Sequence, residues 1–322
     1  MRSEEVLEGV RARDQRSLGR ALSLVEAGEG EEILDGLADL AGQGARLGVT
    51  GSPGAGKSTL LSSLVGYWRG LGETVGVLAV DPSSPFSGGA LLGDRIRMQE
   101  HSLDEGVFIR SVASRGAVGG LAEAAIEMVD VLEAFGFDRL VVETVGTGQA
   151  EIDVMEACDL VLVVLQPGAG DGIQAMKAGL LEIADLLVLN KADLEGSARL
   201  ESELREMLEL REEGVGRAPE VYRVSAKTGE GVQELAEGID RRLRRLEDEG
   251  VLEERRARRR REAVKRLVRS SLEKRLDALI EAHAPKLGEG SPREGARWVL
   301  GTLLCPPSGS DARAGLPAEE EM

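Results

Sequence analysis

Nine consecutive residues constrain this chain more than any others. Gly51-Ser52-Pro53-Gly54-Ala55-Gly56-Lys57-Ser58-Thr59 satisfies the pattern G-x-x-x-x-G-K-[ST] at every required position. Such a pattern is a phosphate-binding loop, a P-loop, when a strand enters it and a helix leaves it. Ala45 to Thr50 (ARLGVT) has the short apolar character of a buried strand, and Leu60 to Trp68 (LLSSLVGYW) has the apolar spacing of a helix. Gly51, Gly54 and Gly56 let the backbone curl so that successive N–H groups point inward at phosphate oxygens, and the helix N-terminus adds its positive dipole. Lys57 then reaches the β- and γ-phosphates, and Ser58 offers its hydroxyl to Mg²⁺.

A chain of 322 residues has room for one large domain with additions or for two. With 42% hydrophobic and 30% charged residues the composition is that of a soluble globular protein, and at 2% aromatics its core must be built from Leu, Val, Ile and Ala. The net charge of −17 argues against a nucleic-acid partner, because a phosphate backbone attracts the opposite sign. No apolar run approaches the roughly 20 residues of a membrane span. Cys158 and Cys305 lie far apart, and MRSEEVLEGVRARD has no apolar signal-peptide core, so a reducing cytoplasm is expected.

Residues 1–44 read as a helical extension without chemistry of its own. Leu18, Leu22 and Val25 stand at helical spacing, as do Ile33, Leu37 and Leu40, with Gly28 and Gly30 between the two sets. From Ala45 to about Leu246 short apolar runs alternate with helical patterns, which predicts an α/β fold with a mainly parallel central sheet. The strands expected are Leu47–Thr50, Thr74–Val80, Val107–Ile109, Leu140–Glu143, Leu160–Leu165, Leu186–Leu189 and Val221–Val224. Ligands of such sheets gather beyond the strand C-termini.

The second strand runs into a long Gly/Pro/Ser segment, Asp81 to Met98, that carries Asp81 and Asp94. Either carboxylate could hold Mg²⁺ or a water of its shell. Asp81 could equally cap the turn of its Asp-Pro step, and Asp94 could be a solvated loop acid. Glu143 ends the strand LVVE, and Gly146 follows three residues later, the places of a Walker B carboxylate and a glycine that senses the γ-phosphate. The longer reach of Glu143 suits contact through a metal-bound water. Counted from Glu143, the position of a water-orienting Gln holds Thr147, with Gln149 two residues on. The segment QPGAGDGIQAMKAG after the fifth strand offers Asp171 and Lys177 as phosphate-end contacts, or opens as a surface turn.

Base choice is written in Asn190-Lys191-Ala192-Asp193, directly after the strand LLVL. A carboxylate at Asp193 accepts from both N1–H and the 2-amino group of guanine, Asn190 can bond the other edge, and Lys191 can cover the ring face. Ser225-Ala226-Lys227 follows the last strand, where the Ala226 N–H would face the guanine carbonyl. GTP and GDP are the ligands this predicts. Beyond Gly231 a helix leads to Gly250, and a second runs from about Leu252 to Ala282. Its Arg-rich block, residues 255–261, reads as a solvated face that could answer acidic surface on another subunit, or as a nucleic-acid site. Leu272, Leu276, Leu279, Ile280 and His283 continue a stripe suited to a partner helix. Ser291-Pro292-Arg293-Glu294 opens a short helix to Leu304, and residues 305–322 have the composition of a disordered tail.

Taken together, VTGSPGAGKSTL, LAVDPSSPFSGGALLGDRIRM, SRGAVGGLA, FDRLVVETVGTGQAE, QPGAGDGIQAMKAG and IADLLVLNKAD closely resemble the MeaB/ArgK group of P-loop GTPases, relatives of the human methylmalonic aciduria type A protein. The likeness is dense from Ala45 to Asp193 and loose in the flanking helices. It implies a P-loop NTPase fold (45–248) with an N-terminal helical extension (1–44) and a C-terminal helical arm (249–304) through which homodimers form. It implies a GTPase that chaperones a coenzyme-B12-dependent acyl-CoA mutase, typically methylmalonyl-CoA mutase, gating adenosylcobalamin loading and protecting the mutase. It also implies that the loops after Asp81, Glu143 and Gln166 respond to the nucleotide. Two other classes share parts of the pattern. A metal-inserting GTPase needs clustered soft ligands, whereas Cys158, Cys305, His101 and His283 are scattered. A kinase or ATPase tied to amino-acid transport would not need the guanine-reading Asp193.

Overall fold

The apolar runs line up as one sheet. In the computed structural model, which describes residues 3–40, 44–82, 99–101, 103–114, 120–144, 154–168, 180–212, 218–287 and 291–304, the strands are β1 (Arg46–Gly51), β2 (Val75–Pro82), β3 (Val107–Ser114), β4 (Arg139–Thr144), β5 (Leu160–Leu165), β6 (Leu186–Leu189) and β7 (Glu220–Arg223). Their order is β3-β2-β4-β1-β5-β6-β7, and every neighbouring pair is parallel. The chain leaves β1 toward β2 on one side and later returns to β5 on the other, so a crevice opens at the C-terminal end of β1.

Both faces of the sheet are covered, which is why its strands read as unbroken apolar runs. Within β5, Leu160, Leu162 and Val164 face one hydrophobic cluster while Val161, Val163 and Leu165 face the other. The first cluster is closed by α4 (Lys57–Gly70) and α8 (Val232–Asp248), through Leu61, Leu64, Trp68, Leu235 and Ile239. On the opposite face α1 (Ser3–Arg11), α2 (Gln15–Glu26), α3 (Glu31–Leu37), α5 (Gly120–Phe135), the short α6 (Leu180–Ile183) and α7 (Ser197–Glu212) supply Val10, Leu22, Ile33, Met128, Leu180 and Leu204. The N-terminal helices thus share the main core. Sequence spacing shows two of the three. The first is short, its fully buried side chains are Val6 and Val10 with Leu7 half-buried beside them, and it breaks where Arg13 takes a φ of 60° and Asp14 caps α2 through the Ser17 N–H at 2.8 Å.

Two strands outrun their apolar runs. β3 continues through Arg110 and Ser111 to Ser114, paired with β2 along its length. A charge is tolerated there because the Arg110 guanidinium reaches Glu26 Oε2 of α2 at 2.6 Å. β2 carries on into Asp81 and Pro82.

The N-terminal ends of the strands hold a network of ion pairs. Arg46, 1% exposed, pairs with Glu133 and with Asp130 of α5. Burial pulls its pKa down, but Asp130 and Glu133 more than offset this and leave it raised. α9 (Val251–Leu287) begins against this edge, and the first arginine of the Arg-rich block departs from the reading of the block as a solvated face, whereas Arg258, Arg260 and Arg261 are exposed. Arg255 is half-buried and grips Asp185 through two bonds of 2.7 and 2.9 Å, and it donates to Asp159 O at 2.6 Å.

The chain divides into two compact units, Met1–Ala257 and Arg258–Met322. In the second, α10 (Pro292–Leu304) opens with a reciprocal cap, in which the Glu294 N–H donates to Ser291 Oγ at 3.3 Å and the Ser291 N–H to Glu294 Oε2 at 3.0 Å. His283 packs on Trp298 with ring centroids 4.6 Å apart. Of the expected stripe, Leu272 and Ile280 are exposed and Leu276 and Leu279 half-buried, while Val264, Leu267 and Val268 are also exposed. Among the described residues no helix is long and apolar enough to cross a membrane.

Candidate functional site

β1 ends in the P-loop, and its glycines are fixed by space as well as by conformation. Gly51 has a φ of 143°, and a Cβ there would stand 2.1 Å from Val164 O of β5. Gly56 has a φ of 86° and ends the loop one residue before α4, with no room for a Cβ beside Asn190 Nδ2. Between them Ser52 and Ala55 are buried, while Pro53 and Gly54 are exposed. Lys57 is buried and arches over its own loop, donating to Gly51 O at 2.8 Å and Ser52 O at 3.0 Å. A cation is therefore stationed inside a ring of backbone groups at a helix N-terminus, an arrangement that suits phosphate. Thr59, last of the motif, faces solvent.

The next residue of α4, Ser58, joins this loop to β4. Its Oγ donates to Glu143 Oε1 at 2.8 Å, with Glu143 1% exposed. One residue on, the Thr144 hydroxyl donates to Thr50 Oγ1 at 3.0 Å, so β1 and β4 are tied side by side at their C-terminal ends. A hydroxyl and a carboxylate in contact form an oxygen-only donor set, which fits a hard divalent cation that keeps most of its water. Of the other candidates, the backbone of Asp81 lies in β2 opposite Ala113. The side chain of Asp81, and Asp94, Gly146, Thr147, Gln149, Asp171 and Lys177, lie outside the described residues.

Asn190, at the end of β6, is the joint of the site. It is 1% exposed; its Nδ2 donates to Ala55 O at 2.8 Å and Gly56 O at 3.3 Å, and its Oδ1 accepts from the Ala226 N–H at 3.1 Å. One amide thus braces three loops. From sequence, the Asn190 amide and the Ala226 N–H are both aimed at guanine; in the structure they bond to each other. Ser63 Oγ of α4 secures the same corner by donating to Ala226 O at 2.9 Å. Lys191 adopts a φ of 58°, rare for a side-chain-bearing residue, and its Nζ donates to Gly54 O at 2.9 Å and to Gln166 Oε1.

Asp193 and Lys227 are exposed, and Ser225 is buried. The Ser225 hydroxyl, with Lys227 and Lys191, holds its carboxyl below the usual carboxylate range. It is therefore an acceptor-only group facing solvent, close to a clamped P-loop. Motif spacing singles out Lys57, Ser58, Asn190 and Asp193, whereas the contacts of Ser63 with Ala226 and of Gln166 with Lys191 emerge only from the packing.

Comparison with known proteins agrees with this geometry. A family model described as methylmalonyl Co-A mutase-associated GTPase MeaB matches residues 18–281. PH0274 of Pyrococcus horikoshii, which carries a GTPase name, is 45% identical over 282 residues, 86% of this chain and 89% of that protein. The mitochondrial methylmalonic aciduria type A homolog of Mus musculus is 40% identical over 195 residues, 59% of this chain and 47% of that protein. A solved LAO/AO transport system kinase superposes with a TM-score of 0.67 at 28% identity, covering 94% of this chain and 97% of its own. The chain belongs to the MeaB family of P-loop GTPases.

Proposed function

We propose that this chain binds GTP and GDP between the P-loop and the Asn190–Asp193 turn, hydrolyses GTP slowly, and uses the nucleotide to govern its association with a B12-dependent acyl-CoA mutase. The observation that carries the nucleotide reading is the ionised, solvent-facing Asp193 carboxylate beside a turn that Asn190 locks to the P-loop. Guanine presents two N–H donors to such a group. Adenine presents an unprotonated ring nitrogen there, which counts against an ATP-dependent kinase. Lys57 would move its charge from Gly51 O and Ser52 O to the β- and γ-phosphates, and Ser58 and Glu143 would hold Mg²⁺ directly or through water. The ion, when bound, neutralises charge that builds on the phosphate oxygens. With Thr147 in the place of a water-orienting Gln, turnover by the isolated protein should fall well below about 1 s⁻¹.

The client is inferred from the family, whose description names methylmalonyl-CoA mutase. In this reading residues 45–248 form the GTPase domain, 1–44 an extension on it, and 249–304 an arm that joins two copies. The protein works in the cytoplasm, gating adenosylcobalamin loading and protecting the mutase. Any coupling must be reciprocal, so a mutase that prefers one nucleotide state shifts nucleotide affinity by the same factor, about 5- to 150-fold. The test is to load the protein with GDP or a non-hydrolysable GTP analogue and titrate B12-dependent acyl-CoA mutases from the same cells, following complex formation and GTP turnover. If neither responds to any of them, the chaperone reading fails and the GTPase core stands.

A further inference from the structure

The end of β5 makes two contacts with the base loop. Leu165 O accepts the Asn190 N–H at 2.8 Å and so fixes the backbone at the start of the turn. The following residue, Gln166, accepts from Lys191 Nζ, and its Nε2 lies close to Gly54 of the P-loop. Lys191 needs such a hold. Its backbone is in the left-handed region, and its four-carbon stem runs past Gly56 before the ammonium is caught between Gly54 O and Gln166 Oε1. Gly54 belongs to an exposed turn, whereas Gln166 sits at the mouth of a fully buried strand, so Gln166 is the firmer of the two anchors.

We infer that Gln166 is a positioning residue of the base site: by holding the Lys191 ammonium, it keeps the lysine stem where the purine face rests, and so sets affinity for the base rather than for the phosphates. This rests on the guanine reading above. A lost hydrogen bond to a charged, half-exposed group should weaken GDP binding about tenfold. The experiment is calorimetry of GDP, ADP and inorganic pyrophosphate on wild type, Gln166→Ala, Gln166→Leu, Gln166→Glu, Lys191→Ala and the Gln166→Ala/Lys191→Ala double variant. Ala and Leu at 166 should lose about tenfold for GDP and nothing for pyrophosphate, while Glu, which keeps the acceptor, should stay within about threefold of wild type. In the Lys191→Ala background Gln166→Ala should add no further loss, because the partner is gone. Equal losses for GDP and pyrophosphate would overturn the inference and make Gln166 a packing residue of the P-loop; a full tenfold loss in the Lys191→Ala background would overturn it too. Wild type that binds ADP as tightly as GDP would overturn the guanine reading and this inference together, whereas GDP-selective wild type with additive losses overturns the inference alone.

Discussion

Asn190→Ala should destabilise the protein before any nucleotide is added. The side chain makes three bonds, at 2.8, 3.3 and 3.1 Å, to Ala55 O, Gly56 O and the Ala226 N–H. Each is worth about 1 kcal/mol net, and a partner left unsatisfied in a buried place costs about 1–3 kcal/mol, so the loss should be about 2–4 kcal/mol. At about 2–4 °C per kcal/mol for a domain near this size, the melting temperature should fall by about 5–15 °C. Asn190→Asp is the sharper variant. It keeps the shape but sets a carboxylate oxygen against Ala55 O, so it should cost at least as much as Ala. The assay is urea and thermal unfolding of nucleotide-free protein, run beside GDP calorimetry. Should nucleotide-free stability stay within about 0.5 kcal/mol of wild type while GDP binding collapses, Asn190 acts on the base alone and the brace does not exist.

At the other end of the sheet, Asp185→Ala strips an acceptor from both Arg255 nitrogens, from Arg242 and from the Val161 N–H, and should cost about 3–5 kcal/mol in urea unfolding. Arg255→Ala leaves Asp185 its other partners and should cost about 1–2 kcal/mol; equal, small effects would mean the pair is solvated. Lys57→Ala should remove most GTP affinity, and an unchanged calorimetric titration would refute the phosphate assignment. Asp193→Asn should lose GTP and gain xanthosine triphosphate, whose ring carries a carbonyl in place of the amino group; no gain would count against Asp193 as the base reader. Because the Asp193 pKa is lowered, its contribution is present above that pKa and lost only as pH falls through it. GDP affinity should therefore stay level from about pH 8 to about pH 5, and a decline setting in near about pH 6 would implicate another group.

Much of the site was legible because phosphate and guanine demand particular atoms at particular spacings. Gly51, Lys57, Ser58, Glu143 and Asn190, which their motifs single out, lie in contact around one loop, although Asn190 turns its amide to Ala55, Gly56 and Ala226. β5 and β6 were read to the residue, since strands buried on both faces are apolar from end to end. The rest fails for physical reasons. Arg110 looks like the end of a strand until Glu26 of a distant helix is seen to answer its charge. Arg255 looks like one of a solvated row until Asp185, 70 residues away, is found beneath it. Gln166 and Ser63 hold their partners across the fold, and nothing near them in sequence says so.

β6 has a consequence for the permitted lengths of this chain. Its four residues stand between Asp185, which Arg255 grips, and Asn190, which braces the P-loop, a reach of roughly 16 Å along extended backbone. Leu186 and Val188 face one core while Leu187 and Leu189 face the other. Deleting or inserting one residue would exchange the faces and drag either the aspartate off its arginine or the asparagine off its loop. The spacing Asp-x-x-x-x-Asn is therefore a ruler that no working variant can lengthen or shorten.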